Sequence, residues 1–190
     1  PVVSSAASDV YKRQGKATDG TVSVAAAIKV EDSADNLTAA FVTQGVTATS
    51  AVVTVSDADN ATITASTLSD LGKAVGSVSV KNAIKVEAAA SALTAAFVTT
   101  TSAVTGTTAK VTYSDADDVA LTAAEINAVG DAVGTVTLKN AVKVSGDKTA
   151  LTKAFVTTST AVTGTTAKVT FTDADDVALT AAEINAVGDA

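Results

Sequence analysis

The sequence predicts an α/β fold, a parallel strand–helix solenoid of six right-handed coils grouped in three double repeats of 56–58 residues. Three observations carry that expectation. Gly20, Gly76 and Gly134 open three copies of one long unit, and SAVTGTTAKVTYSDADDVALTAAEINAVGDA, from Ser102 to Ala132, returns almost unchanged at the end of the chain. Each long unit contains two shorter ones of the form Val-x-apolar-x-x-Ala-x-x-apolar, the self-similarity expected of a repeat array. Within each short unit a period-2 apolar stretch gives way to an i, i+3 or i, i+4 pattern, the order strand then helix.

The strand signal is the pair Val22/Val24, Val53/Val55, Val78/Val80, Val111/Tyr113, Val136/Leu138 or Val169/Phe171. Alternation with β-branched residues suits a short strand with one face buried. A second apolar anchor follows at Val30, Ala61, Val86, Val119, Val144 or Val177, and a third at Leu37, Leu68, Leu93, Ile126, Leu151 or Ile184. The helix signal is clearest from Thr122 to Gly130: Thr122 and Glu125 form a capping box, Ile126 and Val129 an apolar stripe, and Gly130 a stop. Thr180 and Glu183 repeat the box. Helices this short are held by packing, not by their own stability.

Strand, helix, strand at intervals of 25 to 33 residues implies parallel pairing through right-handed crossovers. Stacking the first Val anchors of all six units in one row gives two complementary ladders. Phe41, Gly72, Phe97, Gly130, Phe155 and Gly188 alternate large with small, and Lys29, Asn60, Lys85, Asp118, Lys143 and Asp176 alternate cations with neutral or acidic groups. That register puts Asp118 between Lys85 and Lys143, and Asp115 between Asn82 and Asn140.

The repeats divide the chain into 20–75, 76–133 and a truncated third copy, 134–190, after a non-native or disordered leader, 1–19. Residues 1–14, PVVSSAASDVYKRQ, match nothing downstream and resemble sequencing-adapter read-through at the edge of an environmental gene model. They lack the apolar core of a signal peptide.

Composition narrows function. The chain has no Cys, His, Met or Trp, which removes disulfides, thiolate and imidazole metal sites, and Ser/His/Asp triads. Only 3% of residues are aromatic, so Ala, Val and Thr must build the core in thin layers. A net charge of −7 argues against nucleic acid or an anionic membrane as partner. No apolar run reaches the ~18 residues of a membrane span. Glu125 and Glu183 are explained by capping, and no enzyme is expected.

Two sets of side chains remain as candidate sites. Asp57 with Asp59, Asp115 with Asp117 and Asp118, and Asp173 with Asp175 and Asp176 place paired carboxylates after each second strand, and clustered carboxylate oxygens suit calcium. The glycine and terminal Glu of an EF-hand loop are missing, so the plainer reading is solvated turn carboxylates and no cofactor. One residue past each Val anchor stands Ser23, Thr54, Ser79, Thr112, Thr137 or Thr170, an outward hydroxyl row that would order water or dock a glycan, or that simply fills an exposed strand.

VTYSDADDVALTAAEINAVGDAVGTVTLKNAVKV, within residues 20–190, is similar to the Ala/Thr/Val/Asp-rich tandem repeats of very long bacterial surface or secreted proteins, adhesin-like or cell-coat components. The resemblance implies a structural module, a stalk, spacer or adhesive array, located extracellularly or at the cell surface. Its partners would be neighbouring repeats of the same parent chain and a surface glycan or cell-coat component. The alternative is a calcium- or glycan-binding module. The unit also resembles leucine-rich repeats, with Ala where those place a buried Asn.

Overall fold

The computed structural model describes residues 2–3, 22–44, 46–99, 104–157 and 162–189. Gly20 and most of the leader lie outside the described residues. The chain is α/β, with parallel strands and six α-helices among the described residues.

In chain order the elements are β1 (Val2–Val3), β2 (Lys29–Asp32), α1 (Ala34–Thr38), β3 (Ala48–Val55), α2 (Ala65–Ala74), β4 (Val75–Val80), β5 (Lys85–Ala88) and α3 (Ala90–Phe97). They continue with β6 (Val104–Tyr113), β7 (Ala120–Thr122), α4 (Ala123–Gly130), β8 (Val133–Leu138), β9 (Lys143–Gly146), α5 (Lys148–Thr152), β10 (Lys168–Phe171) and α6 (Ala181–Gly188). Helices α1 and α5 each run on into a π-helical turn, Ala39–Thr43 and Lys153–Thr157. These turns carry Phe41 and Phe155 into the core.

The alternation read from the sequence sets the burial. Val53, Val78, Val111 and Val136 are buried, while the residues between them face outward. On the helices, Leu37, Leu68, Leu93, Ile126 and Leu151 are fully enclosed, and so are Gly72 and Gly130 where the neighbouring helices carry Phe41, Phe97 and Phe155. Helix α2 packs on α3, and α3 on α4, as the size alternation requires. Both capping boxes form: Thr122 Oγ1 accepts from the Glu125 amide at 3.2 Å, Glu125 Oε2 accepts from the Thr122 amide at 2.9 Å, and Thr180 with Glu183 repeats the pattern.

The register differs from the single row of Val anchors. Val53 pairs with Val78 and Val111 with Val136, as expected, but the other neighbour of Val53 is Val30, that of Val111 is Val86, and that of Val169 is Val144. Val78 pairs instead with Val104. The ladders that result join β1 to β6 and β8 in a sheet of seven strands, while β7, β9 and β10 form a sheet of three. The cause is local. Strands β4 and β8, which contain Gly76 and Gly134, are six residues long, whereas β3 and β6 run for eight and ten, each with a bulge, between Ala48 and Val52 or between Gly106 and Lys110. Val30, which takes the place of Val22 beside Val53, is itself buried, so an apolar side chain still faces inward there.

The repeat-opening glycines answer to those bulges. A Cβ on Gly76 would lie 2.8 Å from the Thr49 carbonyl oxygen, and one on Gly134 2.6 Å from that of Thr107. The next strand seats on the bulge only where no side chain intervenes.

Candidate functional site: the Asp-Ala-Asp turns and the outer strand face

The three Asp-Ala-Asp turns follow β3, β6 and β10. Each ends on a residue in the left-handed region, Asn60, Asp118 and Asp176, with φ of 64°, 64° and 67°. Asn and Asp are the side chains that tolerate this conformation best after glycine.

The first carboxylate of each turn reaches back to a helix of the preceding unit. Asp57 Oδ2 accepts from the Ala34 amide at 2.7 Å, Asp115 Oδ2 from the Ala90 amide at 2.9 Å, and Asp173 Oδ2 from the Lys148 amide at 3.0 Å. Ala34, Ala90 and Lys148 are the first residues of α1, α3 and α5. Each carboxylate therefore satisfies an orphan amide and faces the positive end of a helix dipole. For α3 the bond is the more consequential, because Ala89 at its N-cap offers no side chain of its own.

The second carboxylate reaches forward. Asp59 Oδ1 accepts from the Ala83 amide at 2.8 Å and Asp117 Oδ1 from the Ala141 amide at 2.9 Å. Asp175 has no such amide among the described residues. Two asparagines close the turns from the far side: Asn82 Nδ2 donates to the Asp57 carbonyl at 2.7 Å and Asn140 Nδ2 to the Asp115 carbonyl at 2.6 Å. Asp115 thus meets Asn140 as expected, through its backbone, while Asn82 belongs to Asp57. Five of the six carboxylates offered for calcium, all but Asp175, accept hydrogen bonds from backbone amides, and no three acidic side chains converge on one point among the described residues.

The charge ladder is shifted in the same way. Asp118 accepts from Lys143 and Lys168, with N–O distances of 3.3 and 2.8 Å, and not from Lys85. The Lys168 hydrogen bond, then that of Lys143, holds the Asp118 carboxyl below the usual carboxylate range, and Asp118 in turn raises Lys168. Lys85 instead lies beside Lys110 across the β5–β6 ladder, and Lys110 donates to Asn60 Oδ1 at 3.0 Å. Two further ion pairs span a whole intervening strand: Lys81 with Glu31 at 2.6 Å and Lys139 with Glu87 at 2.5 Å.

The six hydroxyls of the outward row are exposed or half-buried but do not form one line. Thr54 and Ser79 are cross-strand neighbours with oxygens 3.2 Å apart, and Thr112 pairs with Thr137. Glu31 interrupts the row before Thr54 and Glu87 before Thr112. Ser23 faces Thr47, and Thr170 faces Ser145.

Tyr113 is the polar feature that the repeat pattern conceals. It occupies an apolar anchor position, matched by Leu138 and Phe171 in later units, and is 1% exposed. Its hydroxyl has no hydrogen-bond partner, and burial, reinforced by Asp115 and Glu125, pushes its pKa well above the ordinary tyrosine value. No sequence signal distinguishes it from a phenylalanine packed for bulk.

Comparison with protein-family models, with curated proteins and with solved structures returns no match. Among the described residues no helix is long and apolar enough to cross a membrane.

Proposed function

We propose that this chain is a structural repeat module, a stalk, spacer or adhesive array of a large extracellular bacterial protein, wound as a right-handed strand–helix solenoid. It acts without catalysis and without a resident cofactor, and the neighbouring repeats of its parent chain are its first partners. One observation carries the reading: the conspicuous polar groups of the repeat are consumed in joining one unit to the next. The first Asp of a turn is bonded backward, as in Asp115 to Ala90, and the second forward, as in Asp117 to Ala141, and the same pair of bonds is made by Asp57 and Asp59. A joint that recurs without change extends a rod. Glu125 is likewise engaged in a capping box.

Two measurements test this. Inserting one further copy of residues 76–133 lengthens the particle in small-angle scattering by roughly 10 Å, two strand spacings of about 4.8 Å. Calorimetric titration with calcium gives no heat and no rise in melting temperature at millimolar concentration. Heat together with a raised melting temperature would establish the calcium-binding alternative, and an insertion that broadens the particle without lengthening it would sink the rod.

A further inference from the structure

The three turns are not equivalent in charge. Asp118 sits between the ammonium groups of Lys143 and Lys168 and neutralises one of them. The matching position one double repeat earlier is Asn60, whose side-chain oxygen accepts from Lys110 but carries no charge. Lys85 and Lys110 are direct cross-strand neighbours on the outer face of β5 and β6, and no carboxylate is ion-paired to either among the described residues. Like charges placed opposite one another repel, and an anion between them removes the repulsion.

The surface around this lysine pair is shaped. A shallow trough of about 280 Å³ runs over β5, β6 and β8, with Lys85 and Lys110 along one side, Thr112 and Thr137 along the other, and Thr62 and Thr135 at its ends. Its floor is the backbone at Val86 and Val111, whose side chains turn inward. Glu87 also lines the trough, but Lys139 engages it at 2.5 Å. What faces the solvent is therefore two uncompensated cations beside hydroxyls that both donate and accept.

From this arrangement we propose that the trough is a binding site for an acidic saccharide, with its carboxylate between Lys85 and Lys110 and its ring hydroxyls against Thr112, Thr135 and Thr137. Among the described residues the site occurs once, because Asn60 stands where the other turns have Asp118 and Asp176. It goes beyond the structural reading, which needs no ligand.

The decisive variant is Asn60→Asp. The residue sits at φ 64°, and Asp occupies the same conformation at 118 and 176, so the variant folds as the other turns do. It puts a carboxylate where Asn60 Oδ1 now accepts from Lys110, the place that Asp118 holds beside Lys168. Isothermal titration of the full chain with a trimer of galacturonic acid gives one site in the parent, binding weakened about tenfold or more in Asn60→Asp and in Lys85→Gln, and no binding of the uncharged galactose trimer. Thr112→Val with Thr137→Val, which leaves every charge in place, weakens the acidic trimer while leaving melting temperature near that of the parent. The proposal is overturned if the parent gives no heat up to about 10 mM trimer, or if Asn60→Asp binds as tightly as the parent. It is overturned as to saccharide if inorganic sulfate binds as tightly as the trimer or if the double Thr variant leaves affinity unchanged. Any of these failures leaves the length measurement on the rod untouched.

Discussion

Asp115 Oδ2 lies 2.9 Å from the amide nitrogen of Ala90, the first residue of a helix that precedes it by 25 residues. A carboxylate from one unit thereby caps a helix of another, and local and tertiary structure depend on the same bond. Because Ala89 provides no cap, Asp115→Ala is expected to destabilise the chain by about 1–2 kcal/mol in denaturant unfolding. Asp57→Ala costs less, since Ser33 also accepts from the Asn36 amide within α1.

Tyr113 provides a gain. Its buried hydroxyl makes no hydrogen bond, and Phe already stands at the equivalent position, Phe171. Tyr113→Phe is expected to stabilise by about 1 kcal/mol, because an unsatisfied buried donor is removed and the ring is kept.

The same hydroxyl gives a pH dependence whose sign is fixed. Burial raises the folded-state pKa above the ordinary value of 10.0, so above that pH the unfolded chain binds fewer protons than the folded one. Stability attributable to Tyr113 is full below about pH 10 and falls as pH rises, by about 1.4 kcal/mol per unit at most. The stability difference between Tyr113→Phe and the parent should widen from pH 9 to pH 11.5. A constant difference would show that the phenol is solvated in the folded state.

Two isoleucines in near-identical sequence separate packing from composition. Ile126 is fully buried, whereas Ile184, its counterpart in the last unit, is 45% exposed. Ile126→Ala is expected to cost about 2–5 kcal/mol and Ile184→Ala about 1 or less, measured as the shift of the unfolding midpoint.

Glycines make the same contrast at the backbone. Gly134→Ala would force a Cβ to within 2.6 Å of the Thr107 carbonyl oxygen, while a Cβ on Gly188 meets nothing within 4 Å. The first should destabilise by about 1–3 kcal/mol, by separating β8 from the bulge of β6. The second should be neutral or slightly stabilising, as Ala favours a helix over Gly.

The amino-acid sequence alone determined the unit, its strand-then-helix order, the inward face of the first strand and both capping boxes, but not the second apolar anchor, since Val119 and Val177 are exposed and Leu121 faces inward to pair with Val144. Each of these rests on residues close in the chain: alternation around Val111, the Thr122–Glu125 spacing, the stripe of Ile126 and Val129. Tertiary structure decided the register. Val22 and Val30, like Val78 and Val86, are apolar and β-branched, so the sequence pattern alone offers either to the next strand. The structure uses both members of the second pair: Val78 meets Val53 and Val104, and Val86 meets Val111, with β3 and β6 bulged and Gly76 and Gly134 small enough to seat on the bulges. Once the register moved, every outward ladder moved with it. Asp118 exchanged Lys85 for Lys168, the hydroxyl row broke at Glu31 and Glu87, and Lys85 came to lie beside Lys110 with only the uncharged Asn60 at hand.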